Sequence, residues 1–243
     1  MSTHAEFLHQ TLNDQPARIF GFEVAETVAR DSRPAACWSE LYGEQQIRGL
    51  VRQVFFPGWP KPARQVVFSA VQDGDVGGLC MQVGERLAAQ IPGSVCVVDA
   101  ATPGGEESGE DADVSAPASF GESHSFREWA KQISGRLWSA PLNRFAGGNG
   151  NGWPPDAVSM ALRELRLEFD YTVVQGPPAG ISNEAALLGQ WSDGVILVLE
   201  ANATRKLTAQ RAKQMFQEAN VRLLGAVLSG RRFPIPEGIY HRL

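Results

Sequence analysis

Residues 65–80 read QVVFSAVQDGDVGGLC, and the fold turns on this stretch. Gln65–Ala70 is a short, nearly unbroken apolar run, which suits a strand covered on both faces. Asp73–Gly78 is a glycine-rich loop. A helix is predicted to follow, from about Leu79 to Gln90. The same alternation continues downstream. SVCVVDA at 94–100, YTVVQ at 171–175, GVILVLE at 194–200 and VRLLGAVLS at 221–229 read as four further buried strands. Helices are predicted over Asp156–Phe169 and Asn183–Gln190, each capped by its first residue, and over Arg205–Ala219. Five apolar strands mostly separated by helices predict an α/β fold: a doubly wound, mostly parallel sheet with helices on both faces. Ligands of such sheets sit beyond the carboxyl ends of the strands, here after Ala70, Val98, Val174 and Leu228.

Upstream, Ile47, Leu50, Val51 and Val54 share one helical face within Ser39–Phe55. Ser39 is the expected N-cap, and Pro57-Gly58 stops the helix. Residues 1–60 are therefore expected to form an N-terminal arm and helix, with one short strand at Ile19–Val24. Residues 61–243 form the main domain. Within it, 101–122 and 146–155 are rich in Gly, Ser, Pro or Asn and are expected to be flexible loops. Ser125–Leu137 reads as a helix, with Phe126, Trp129, Ile133 and Leu137 on one face.

The chain holds 22 basic and 27 acidic residues, a net charge of −5. The charges are segregated. Glu106, Glu107, Glu110, Asp111 and Asp113 fall in one short base-free run, whereas residues 201–243 carry eight bases against Glu218 and Glu237. This balance does not fit a nucleic-acid binder. Cys37, Cys80 and Cys96 show no metal or disulfide spacing, and the four histidines are scattered, so no metal site is expected. No apolar run reaches membrane-spanning length, and Met1–Leu12 lacks the apolar core of a secretory leader.

A strand, a glycine-rich loop and a helix in succession is the setting of a phosphate-binding P-loop. Glycines let backbone N–H groups converge on the phosphates. A lysine reaches the terminal phosphates, and a hydroxyl holds Mg²⁺. Gly74, Gly77 and Gly78 are present here. No lysine occurs between Lys61 and Lys131, and no Ser or Thr between Ser69 and Ser94. Asp73 and Asp75 stand in the loop instead, where they repel phosphate.

The order and spacing of these segments resemble the cytoplasmic ATPase domain of bacterial tyrosine kinases (BY-kinases), which are related to the partition and septum-positioning P-loop ATPases. QVVFSA leads into the Walker A position. SVCVVDA resembles the second acidic strand, with Asp99 at its Asp. FDYTVVQGPP resembles the Walker B strand, and LLGAVLSGRRFPIPEGIYHRL the last strand and tail. The departures fall on the catalytic positions. The Walker A Lys and Ser/Thr are missing, and the second Asp and the Arg that follow Asp99 in the family are replaced. Gln175 stands at the Walker B Asp, and Ser229 at the base-contacting Asn. The tyrosine cluster is reduced to Tyr240, which stays a candidate phosphoacceptor. The degenerate nucleotide-site positions are thus Gly74, Asp75, Gly77, Gly78, Asp99, Gln175 and Ser229. Arg231 and Arg232 are the best candidate partner contact. Glu44, Arg48 and Arg52 recur at i,i+4, unlike the family's self-association motif.

The resemblance implies a place in capsule or exopolysaccharide synthesis, and the departures from it lead to the expectation of a catalytically degenerate cytoplasmic accessory, with no catalytic residues and no required cofactor. Weak ATP or ADP binding through the backbone stays open. The implied partner is the cytoplasmic part of a membrane polysaccharide chain-length (co-polymerase) protein, which would hold the chain peripherally at the inner membrane. Self-association into a homo-oligomer is a second expectation. Two rival readings stay open: an active ATP-dependent tyrosine autokinase, and a partition-like, nucleotide-gated scaffold.

Overall fold

Side chains alternate across a sheet with two apolar faces, and that alternation explains the unbroken apolar strands. Along QVVFSA, Val66, Phe68 and Ala70 join one apolar cluster, while Val67 joins the other. Along VCVVD, Val95 and Val97 join the first and Cys96 and Val98 the second. The computed structural model describes residues 18–20, 36–56, 62–72, 74, 76–101, 125–146 and 152–230. Among them, eight strands form one sheet: β1 (Arg18–Phe20), β2 (Gln65–Ala70), β3 (Val95–Asp99), β4 (Lys131–Ser134), β5 (Leu137–Pro141), β6 (Tyr171–Gln175), β7 (Gly194–Glu200) and β8 (Leu223–Ser229). Their order is β1-β8-β7-β2-β6-β3-β5-β4. Every pairing is parallel except β4 with β5. The expected doubly wound, mostly parallel α/β fold is therefore the fold observed.

Helices α1 (Ala36–Phe55) and α2 (Gly77–Gln90) cover one face. Ile47, Leu50, Val51 and Val54 of α1 and Leu79, Val83 and Leu87 of α2 are buried there. Glu44 of α1 forms an ion pair with Arg86 of α2. Helices α3 (Phe126–Trp129), α4 (Asn143–Ala146), α5 (Pro155–Glu168), α6 (Glu184–Trp191) and α7 (Lys206–Glu218) contribute to the other face. Leu162, Leu165, Leu188 and Phe216 are fully buried in it.

The amino ends of the strands are fastened by carboxylates. Asp193 accepts from the Arg64 and Gln65 N–H groups at 2.7 and 2.8 Å and from the Arg166 guanidinium. Asp170 accepts from the N–H and hydroxyl of Ser94. The Ser94 N–H is the main cause holding the Asp170 carboxyl below its ordinary pKa.

Several local expectations are corrected. Ser125–Leu137 is not one helix: α3 spans four residues, and β4 and β5 then form an antiparallel hairpin through Gly135. Gly135 has φ +23°, outside helical backbone, so the Phe126–Leu137 periodicity cannot continue through it. Ile133 is consequently exposed. Helix α1 starts at Ala36, so Ser39 lies inside it. Pro154 caps α5, and Asp156 sits in its first turn. Asn183 is the N-cap of α6 without a side-chain bond, and the Ser182 hydroxyl accepts from the Glu184 N–H instead. The N-terminal strand is Arg18–Phe20, and residues 21–24 of the expected strand lie outside the described residues.

Candidate functional site

The carboxyl ends of β2, β6 and β3 form one continuous rim, because these strands are neighbours in the sheet. Phe68 is in register with Gln175, and Gln175 with Asp99. The fold thus brings Gln175 and Asp99 side by side at the head of the loop that contains Gly74. Asp99 is exposed, and its Oδ1 accepts from the Ala101 N–H at 3.0 Å, a local Asx turn. Among the described residues, the Gln175 amide makes no hydrogen bond; its backbone carbonyl accepts from the Ala100 N–H at 2.9 Å. Ser229 ends β8, and its hydroxyl donates to the Leu199 carbonyl at 3.2 Å. Gly74 is exposed, and Gly77 and Gly78 open α2, whose N-cap Val76 provides no side-chain bond. Asp73, Asp75, Glu106–Asp113, Arg231, Arg232 and Tyr240 lie outside the described residues.

The segment after β6 closes onto the end of β2. The N–H groups of Gly176, Ala179 and Gly180 donate to the carbonyls of Phe68, Ala70 and Val71 at 2.8, 2.7 and 3.0 Å. Ser69 is buried, and its hydroxyl donates to the Pro177 carbonyl at 2.6 Å. The one hydroxyl on the strand feeding the loop is therefore committed to the turn. A Cβ on Gly180 would overlap the Val71 carbonyl oxygen, so this approach requires glycine. A Cβ on Gly74 would meet only ordinary contacts, at 3.8 Å.

These groups do not fit a nucleotide triphosphate with Mg²⁺. No lysine stands in the loop, the nearby hydroxyl is occupied, and an amide replaces the carboxylate beside Asp99. Backbone N–H groups at the start of α2 are the remaining phosphate-directed feature. Among the described side chains no reactive thiol supplies other chemistry: Cys80 and Cys96 are buried, and burial pushes Cys96 up to about 12. Among the described residues, no three His, Cys, Asp or Glu side chains cluster as a metal site.

A second feature of this pole was not anticipated from sequence. A cleft of about 460 Å³ lies between the end of β2, the turn after β6 and the start of α7. Val71, Gly180, Ile181, Ala203 and Thr208 line it, with Gln72 and Glu200. The turn carrying Glu200 is fixed reciprocally: the Glu200 N–H donates to the Thr204 hydroxyl, and the Thr204 N–H to the Glu200 carbonyl, both at 2.9 Å. In sequence, Gly180 after the proline pair was the available signal, but its close contact with Val71 depends on strand order.

No family model matches the chain. Among curated proteins, it is 37% identical over 68 residues to the tyrosine-protein kinase CpsD of Streptococcus pneumoniae serotype 4, covering 28% of this chain and 30% of that protein. It is 31% identical over 87 residues to the tyrosine-protein kinase YwqD of Bacillus subtilis, covering 32% of this chain and 37% of that protein. The matched stretch thus covers little more than a third, or less, of the length of these curated relatives. Solved structures are similar over far more of the chain. The chimerical protein CapA2B2 aligns with TM-score 0.60 at 13% identity, covering 94% of this chain and 99% of that one. The kinase domain of the Escherichia coli tyrosine kinase ETK aligns with TM-score 0.55 at 15% identity, covering 97% and 98%. A ParA family ATPase from Chlorobium tepidum aligns with TM-score 0.52 at 16% identity, covering 70% and 74%. At these identities the structures speak for the fold alone. The chain is thus similar in sequence to bacterial tyrosine kinases over 68 to 87 residues, and its overall fold is that of BY-kinase domains and ParA-type ATPases.

Proposed function

We propose that this chain is a catalytically degenerate BY-kinase-like domain that works by binding, as a cytoplasmic accessory in capsular or exopolysaccharide synthesis and export. One observation carries the reading: at the rim of β2, β6 and β3 the loop has no lysine, the Ser69 hydroxyl is bonded to the Pro177 carbonyl, and the amide of Gln175 rather than a second carboxylate stands beside Asp99. Phosphoryl transfer depends mainly on positioning and on electrostatic stabilisation by the lysine and metal. Loss of one preorganised electrostatic partner costs about 10²–10³ in rate. An autokinase lacking several such groups has no evident means of turnover.

The partner in this reading is the cytoplasmic part of a membrane polysaccharide chain-length protein. Among the described residues, no helix is long and apolar enough to cross a membrane. Membrane association would then come through that partner. The test is a calorimetric titration of this protein with the partner's cytoplasmic segment, with and without ATP·Mg²⁺. Saturable binding that ignores nucleotide is expected. Binding that requires nucleotide would favour the partition-like gated scaffold, and no binding would reject the proposed partner.

A further inference from the structure

Helix α5 lies on the face of the sheet opposite α1 and α2, with α4 and α6 packed against it. Its inward residues, Ala157, Val158, Ala161, Leu162 and Leu165, are buried. Its outward residues form a stripe, Asp156, Met160, Arg163 and Leu167, spaced by four, three and four. That spacing keeps all four on one helical face. All four are exposed, Met160 at 50% and Leu167 at 81%, and no described large apolar side chain is more exposed than Leu167. Among the described residues, neither Asp156 nor Arg163 has an ion-pair partner.

The order of charges along the stripe limits what can cover it. A helix rises about 1.5 Å per residue, so Asp156 and Arg163 stand about 10.5 Å apart along the axis, with Met160 near the middle. Two copies of α5 packed antiparallel about a two-fold axis beside Met160 exchange these positions. Asp156 of each copy then meets Arg163 of the other. Met160 meets Met160, and Leu167 reaches the exposed Pro154-Pro155 pair of the second copy. A parallel pairing instead sets Asp156 against Asp156 and Arg163 against Arg163, and like charges repel. The stripe is thus complementary to itself in one orientation, as an isologous interface requires.

We propose that the outward face of α5 is a self-association surface that takes a second copy of this chain, antiparallel, through two Asp156–Arg163 ion pairs flanking Met160. This goes beyond the accessory role above and does not depend on it. The surface is separate from the charge ladder of α1, which lies on the other side of the sheet. One helix pair buries less area than a standard stable interface, so the dimer is weak and reversible.

Sedimentation velocity of the full chain over a wide range of concentrations reads the association, and a monomer–dimer equilibrium is expected. Asp156→Arg and Arg163→Asp each set like charges together at two places. Each should weaken the dimer about tenfold, with circular dichroism unchanged. The double variant restores opposite charges and should return to within about threefold of wild type. Cross-linking reads the orientation: Met160→Cys should form oxidised dimers above the wild-type background, and Leu167→Cys should not. A monomer at every concentration would overturn the proposal. So would a dimer indifferent to the single substitutions, or a double variant as weak as the single ones. Equal cross-linking at both positions would mark a parallel pairing and contradict the proposal as well.

Discussion

Gly180 and Gly74 stand a few ångströms from the same strand end, yet only one of them is needed as glycine. A side chain at 180 meets the backbone carbonyl of Val71, which cannot move without disturbing β2. Gly180→Ala is expected to destabilise the protein by about 1–3 kcal/mol, as overpacking does. Gly74→Ala, with only ordinary contacts to make, should stay within about 0.5 kcal/mol of wild type. Urea unfolding of both variants measures the contrast. At the opposite pole, Asp170 has a depressed pKa because its carboxylate accepts the Ser94 N–H. A depressed carboxyl stabilises the fold above its unfolded pKa and loses that contribution as pH falls through the folded value. Asp170→Asn should therefore lower the melting temperature at neutral pH, and the gap from wild type should close in acid. A gap independent of pH would show that the charge contributes nothing.

At the scale of elements, legibility followed the core. β2, β6 and β7 match the expected strands residue for residue, because their unbroken apolar runs lie between two apolar faces. The apolar stripe of α1 is likewise buried as its spacing requires. Leu50, fully buried on that stripe, should cost about 2–5 kcal/mol when changed to Ala, measured by denaturant unfolding. Edge structure was not legible. Phe126, Trp129, Ile133 and Leu137 fit a helical period by coincidence, and the turn glycine between Ser134 and Arg136 was outweighed by it. What holds the region is tertiary: Glu168 accepts from the N–H groups of Phe126 and Arg127, and Arg127 lies over the Trp138 and Phe169 rings. Gly135→Ala should cost about 1 kcal/mol through its positive φ. The charge ladder on α1 also reads differently in three dimensions, since Glu44 pairs with Arg86 across helices.

For the whole molecule, the rim of the sheet could be located from sequence, because parallel α/β topology dictates where strand ends gather. The missing lysine and the Gln175 amide were equally plain, since absence of a residue type needs no coordinates. The commitment of the Ser69 hydroxyl and the cleft at Ile181 depend on β2 lying between β6 and β7, which no local pattern reveals. The proposal is of a P-loop-like architecture whose rim lacks the lysine and the second carboxylate that handle nucleotide phosphates and metal. Its central claim is tested by incubating the purified chain with radiolabelled ATP·Mg²⁺ and measuring phosphotyrosine. The account predicts no incorporation above that of a variant in which all three tyrosines are changed to Phe. Protein-dependent labelling that Asp99→Asn abolishes would contradict it.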